Sequence, residues 1–300
     1  MPAATTEKLH DKAPGLDMQP MEEVAALLAA GQIDAAGVVP AAAEALAAGA
    51  RAMAEALQNG GRLWYAGAGS SGLMAAADAL ELGGTFGIAP ERVRILMAGG
   101  LPASATMPGA TEDDTQGLDE ALAELTAADT VIAVAASGTT PYTLAVADRA
   151  RARGATVVAL ANNPGAPLFD LADIAVLLAT PPEVISGSTR LGAGTAQKIA
   201  LNTMSTLMGV ALGHIYDGMM VAVVADNAKL RARAAGIVGR ITGADAAATQ
   251  TALAAADGNV KAATLIAAGA GSPDAARALL DTARGHLRQA LETLRNPTRS

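Results

Sequence analysis

The residues of this chain best suited to chemistry are hydroxyls and glycines gathered where apolar runs end or begin. The densest set is Glu183-Val-Ile-Ser-Gly-Ser-Thr-Arg-Leu-Gly-Ala-Gly-Thr-Ala-Gln-Lys198, which runs straight into the apolar stretch Ile199 to Leu212. It reads as a loop feeding a buried helix. Ser186, Ser188, Thr189 and Thr195, with backbone freed at Gly187, Gly192 and Gly194, collect hydroxyls and amides at that helix's entrance. The unpaired N–H groups and positive dipole end there favour an anion such as a phosphate. Any one of these hydroxyls would equally serve as a helix cap.

Two more segments repeat the design: Leu63-Trp-Tyr-Ala-Gly-Ala-Gly-Ser-Ser-Gly72 and Val131-Ile-Ala-Val-Ala-Ala-Ser-Gly-Thr-Thr140. In each an apolar strand runs into glycine and hydroxyls, here Ser70 and Ser71, then Ser137, Thr139 and Thr140, and a helical pattern follows. Three such ends in one sheet can meet around one small ligand at its carboxyl edge. Two carboxyls accompany them. Glu81 ends an apolar helical run before Gly83-Gly84, and Glu112 opens the acidic knot Glu112-Asp113-Asp114. By residue type alone Glu81 reads as solvent-exposed and the knot as a solvated helix start. Two glutamates flanking a carbohydrate carbon would support either proton transfer or glycosidic chemistry. Gly67 to Gly72 fits the first spacing of a dinucleotide loop, but no acid ends the next strand, so a sugar phosphate suits it better than a nucleotide.

The elements that must carry these groups alternate. An arm with Pro2, Pro14 and Pro20 covers residues 1–20; helical patterns follow from Met21 to a break at Gly31-Gln32 and from Val38 to Leu57. Strands are expected at 63–66, 94–98, 130–135, 156–160 and 173–178. Helices are expected at 72–82, with Asp78 and Glu81 on one side, at 115–125, and from Pro141 to Gly154. Asn162-Asn163-Pro164-Gly165 reads as a turn and 227–238 as a basic amphipathic helix. Three Ala-rich helices, 245–256, 259–267 and 273–294, close the chain. This βαβα order predicts an α/β fold with a mostly parallel, helix-flanked sheet and a small C-terminal helical module. The expected domains are 1–20, 21–242 and 243–300.

Composition narrows the partners. At 300 residues, 51% hydrophobic but 2% aromatic, the core must be closely packed Ala, Leu, Val, Ile and Met. A net charge of −8 without a basic, aromatic-studded patch excludes a nucleic-acid footprint. The chain has no cysteine, and His10, His214 and His286 are scattered, so neither a metal nor a cofactor is expected. The polar N-terminus lacks a signal core, and the Ile199 to Leu212 run is too short for a membrane, so a cytoplasmic protein is expected.

The three hydroxyl segments, together with Thr6-Glu-Lys-Leu-His10, resemble the N-acetylmuramic acid 6-phosphate etherase family, built on a sugar isomerase (SIS) domain. The resemblance runs over nearly the whole chain, and the 183–198 stretch is its most specific part. It implies a lyase that opens the sugar ring, eliminates D-lactate from C3 and adds water, giving N-acetylglucosamine 6-phosphate in cell-wall amino-sugar recycling. It implies Glu81 as the acid for the departing lactyl oxygen and Glu112 as the C2 base. Ser70, Ser71, Ser137, Thr139 and Thr140 would hold phosphate, and Glu183, Ser186, Gly187, Ser188 and Thr189 would close on the sugar. It further implies a homodimer with sites at the subunit contact and the Thr6, Glu7 and Lys8 arm against the partner.

The chain departs from the family at Leu73 (usually Arg), Leu82-Gly83-Gly84 (Cys-Pro-Pro), Gly192 (Lys), and near Gly109 and Ala222 (acidic). Losing Arg and Lys removes two charge-assisted contacts to phosphate or carboxylate, each about 1.5–3 kcal/mol. A lyase or isomerase acting on another sugar phosphate, or a non-catalytic sugar-phosphate sensor, are the alternatives.

Overall fold

A computed structural model describes residues 5–107 and 110–296; Pro108 and Gly109 lie outside the described residues. The chain packs as two compact units, one of residues 1–80 and 91–207, the other of 81–90 and 208–300.

Among its described residues the first unit holds five parallel strands: β1 (Leu63–Gly67), β2 (Val93–Met97), β3 (Thr130–Val134), β4 (Thr156–Ala161) and β5 (Ile174–Leu177), in the order β2-β1-β3-β4-β5. Gly67 stands opposite Met97 on one side and Val134 on the other. β1 and β3 are buried at every residue, because helices cover both faces. Trp64, Ala66, Val131 and Ala133 share one core cluster with Tyr142, Val146 and Ala150. Those three residues belong to α5 (Pro141–Ala152), the crossover from β3 to β4. On the other face, α2 (Ala43–Gln58) comes so close at Gly49 that an added Cβ would lie 3.2 Å from Val158.

Several boundaries differ from the sequence reading. The break expected at Gly31-Gln32 is absent: α1 (Met21–Ala36) runs through it, and Gly31 gives the room, since a Cβ there would sit 3.0 Å from Val184. The helix expected at 72–82 is α3 (Gly69–Phe86), which continues through Gly83-Gly84. The helix expected at 115–125 shrinks to α4 (Leu118–Ala121), because Gly117 holds a left-handed conformation directly before it. α6 (Gly192–Ala211) is the long helix after the glycine-rich loop.

The second unit opens with a hairpin, β6 (Ile215–Tyr216) and β7 (Met219–Met220), turned by Asp217 and Gly218 at positive φ of 45° and 75°. Arg288 stacks over Tyr216 at 4.4 Å and pairs with Asp217 at 2.6 Å. Among the described residues four helices follow α7 (Ala228–Thr242) instead of the three expected: α8 (Ala246–Ala255), α9 (Val260–Ala267), α10 (Pro273–Thr282) and α11 (Leu287–Arg295). The extra break comes from Arg284 and Gly285, both at positive φ. The seam expected at Gly243 is a turn inside this unit, because Ile237 and Val238 of α7 pack in one core with Ala252, Leu265 and Leu291.

Candidate functional site

In a sheet of this order the connections leave β1 and β3 in opposite directions, opening a crevice beyond their carboxyl ends. Both predicted hydroxyl turns border that crevice. Past β1, the turn into α3 is tight: a Cβ on Gly67 would lie 3.0 Å from the Gly72 Cα and from the Val134 carbonyl oxygen. Ser71 is buried and Ser70 half-buried at the start of α3. Past β3, Gly138 takes φ +72° where a Cβ would meet that of Ala166 at 2.3 Å, so only glycine fits. The Ser137 Oγ accepts from the Thr139 backbone N–H at 3.1 Å and from the Thr139 hydroxyl at 3.0 Å. Thr140 stands at the entrance of α5, with Pro141 in the first turn, and its side chain caps nothing there.

Glu112 joins these two turns. Its carbonyl accepts from the Tyr142 N–H at 2.9 Å, fixing it to the first turn of α5. Its carboxyl oxygen Oε1 hangs over the other turn, 2.7 Å from where a Cβ on Gly69 would be. The acidic knot therefore does not start a helix; it brings one carboxylate across the crevice. Glu81 is exposed on α3 in the second unit and makes no hydrogen bond or ion pair among the described residues.

Asp78 does not share Glu81's setting, although both were expected on one side of the helix. It is 3% exposed, and its carboxylate accepts from the Tyr65 hydroxyl at 2.9 Å, the Asn202 amide at 2.7 Å and the Ser205 hydroxyl at 2.9 Å. Burial, and next the Asp78 charge, push the Tyr65 phenol well above its ordinary range. This network ties β1, α3 and α6 together, which explains the polar interruptions at Asn202 and Ser205 in the apolar helix.

The 183–198 stretch departs from the phosphate site that its sequence predicts. The anion at the entrance of α6 is the chain's own: the buried Glu183 carboxylate accepts from the Gly192 N–H at 2.9 Å and the Ala193 N–H at 2.8 Å. An internal carboxylate thus occupies the place predicted for phosphate at this helix end. Gly192 is crowded, since a Cβ would lie 3.1 Å from both Ala35 and Glu183. Ser186 and Gly187 are exposed and Ser188 and Thr189 half-buried in the loop before it.

The N-terminal arm holds that loop. The resemblance implies an arm lying on a partner subunit; within its own chain the described part of the arm forms short 3-10 turns at Thr5–Glu7 and Leu16–Met18 and bonds the 183–198 loop. Thr6 is 1% exposed. Its carbonyl accepts from the Gly187 N–H at 3.2 Å, and the Ser186 hydroxyl donates to the Glu7 carbonyl at 3.1 Å. Asn163, read from sequence as a turn residue, donates through Nδ2 to the Thr6 hydroxyl and to the Ala136 carbonyl, both at 3.1 Å. Ala136 directly precedes Ser137, so one buried amide joins the arm, the end of β4 and the second hydroxyl turn. The Asn-Asn pair before Pro-Gly was the available signal, because such side chains often bond nearby backbone, but its distant partner was not readable.

Known proteins fit this arrangement. Residues 33–162 match the SIS domain. A protein from Escherichia coli, solved as a ligand complex, shares the fold with a TM-score of 0.50 at 14% identity, over 67% of this chain and 97% of its own. The class is thus an SIS-fold protein.

More particular are the sequence relatives named N-acetylmuramic acid 6-phosphate etherase. One from Deinococcus radiodurans is 48% identical over 95% of this chain and 94% of its own length. Those from Streptomyces avermitilis and Rubrobacter xylanophilus are 43% and 41% identical, covering 96% and 97% of this chain and 93% and 97% of their own. The chain belongs to the N-acetylmuramic acid 6-phosphate etherase family, a family of carbon–oxygen lyases.

Proposed function

We propose that this chain cleaves the D-lactyl ether of N-acetylmuramic acid 6-phosphate by elimination and hydration, yielding N-acetylglucosamine 6-phosphate and D-lactate in amino-sugar recycling. The observation that carries the mechanism is the Glu112 carboxylate held over Gly69 between two hydroxyl turns. A phosphate bound by Ser70, Ser71, Ser137, Thr139 and Thr140 sets the sugar in the crevice. Once the ring opens, the C1 aldehyde acidifies the proton at C2 and Glu112 removes it. The carbon–oxygen bond at C3 breaks, Glu81 protonates the departing lactyl oxygen, and water adds to the alkene. General acid and base groups contribute on the order of 10²–10⁴-fold each. Ser186, Gly187, Ser188 and Thr189, pinned by Thr6, close over the sugar, and Glu183 supports them by anchoring α6.

The working form in this reading is a cytoplasmic homodimer. α1 supports the dimer: Ala35 is its only buried residue, while Met21 and Ile33 are 81% and 71% exposed. Residues 21–58 are apolar enough, by length and composition, to cross a membrane. Against that, Glu22, Glu23, Asp34 and Glu44 interrupt them, and a 3-10 turn at Val39–Ala42 separates the two helices.

The test is D-lactate release from N-acetylmuramic acid 6-phosphate beside amino-sugar 6-phosphates that lack the lactyl ether. Release from the first is expected. Turnover of only the others would move the chain to a different sugar-phosphate reaction, and binding without turnover would make it a sensor.

A further inference from the structure

The second unit contains a cavity of about 510 Å³ that the proposed chemistry does not use. Its walls include Phe86, Val221, Val223, His214 and Lys261. Lys261 is 8% exposed and gives one N–H to the Gly285 carbonyl at 2.7 Å. No carboxylate pairs with it among the described residues, although Asp226 and Asp257 line the same cavity. A buried, unpaired ammonium is costly, and burial lowers the Lys261 pKa to about 8, which still leaves it mostly charged at neutral pH.

His214 supplies the complementary defect. Its Nδ1 is buried without a hydrogen-bond partner. Burial, and then the Lys261 charge, hold its pKa at about 4, so the ring is neutral at pH 7; the ring's bond to the Phe86 backbone falls to Nε2, since Nδ1 has no partner, and Nδ1 offers a lone pair. An orphaned polar atom of this kind calls for a partner, either water or a ligand.

We propose that this cavity is a second small-molecule site, taking a hydroxyl-bearing anion of monosaccharide size. An anionic oxygen pairs with Lys261, a hydroxyl donates to His214 Nδ1, and the apolar face of the molecule lies against Phe86 and Val221. The acids Asp226 and Asp257 accept further hydroxyls and oppose a bare polyanion, so the anion must carry donors of its own. The volume holds one sugar ring with its substituents.

The full chain is titrated calorimetrically with N-acetylglucosamine 6-phosphate, with inorganic phosphate and with uncharged N-acetylglucosamine. The ring nitrogens are followed in parallel by ¹⁵N spectra, which the three histidines keep simple. Only the choice of probe rests on the proposed lyase reaction. Two binding events are expected for the sugar phosphate, with the His214 Nδ1 signal moving, and weaker binding for either fragment. Lys261→Met should weaken one event about ten-fold or more and leave D-lactate release unchanged. A single event with an unmoved His214 signal would overturn the site, as would a folded Lys261→Met chain that binds as before. Because the spectrum is read on the unaltered protein, it decides the matter even where that variant fails to fold. Failure of the lyase reading would appear separately, as absent D-lactate release.

Discussion

At the scale of single residues, the site depends on a missing side chain as much as on present ones. Gly69 holds φ +52° and leaves the space that the Glu112 carboxyl occupies. A Cβ there would meet Oε1 at 2.7 Å and would also strain the backbone, at a cost of about 1–2 kcal/mol. Gly69→Ala is therefore expected to lower stability by that amount and activity by about ten-fold or more, as the base moves off its position. Denaturant melts and D-lactate assays on one preparation check both. Wild-type activity in this variant would mean that the Glu112 position is not critical. The hydroxyls were legible as chemistry-bearing types at strand ends, whereas Glu112 reads by residue type as part of a solvated helix start and is singled out only by the family resemblance. Asp78 was not, since its Tyr65, Asn202 and Ser205 partners lie up to 127 positions away and nothing in local spacing joins them.

At the scale of elements, short continuous apolar runs in βαβα order carried the sheet, and the expected strands match the observed ones within one residue. Helix ends were harder to read. Gly31 and the Gly83-Gly84 pair look like breaks but lie inside α1 and α3; Gly31 admits a close approach to Val184, whereas a Cβ on Gly83 or Gly84 would meet no crowded neighbour, so neither glycine marks an end. The α6 entrance shows the same ambiguity in electrostatic form. An amide-rich helix start signals an anion, yet it does not say whether the anion is a ligand or the chain's own Glu183. Glu183→Ala would leave the Gly192 and Ala193 amides unpaired in a buried place, with an expected stability loss of about 2–4 kcal/mol. Thermal unfolding checks this. An unchanged midpoint would show that the α6 entrance does not depend on this carboxylate.

At the scale of the whole molecule, the compact units cross the chain order. Residues 81–90 belong with 208–300, a grouping that reading the sequence in order does not reveal. The uncovered apolar surface of α1 carries the assembly reading. Light scattering should give twice the chain mass for the unaltered protein and a monomer for Ile33→Glu, because a charge at an apolar contact costs several kcal/mol. A monomeric unaltered protein would remove the shared-site arrangement.

With Glu112 taking the C2 proton and Glu81 serving the leaving oxygen, as proposed, the two steps can be separated by experiment. The most direct measurement follows deuterium entering C2 of N-acetylmuramic acid 6-phosphate in heavy water, beside D-lactate release, in Glu112→Gln and Glu81→Gln chains. Glu81→Gln is expected still to exchange at C2 while releasing lactate slowly, and Glu112→Gln to do neither. Exchange that persists without Glu112 would contradict its role as the base.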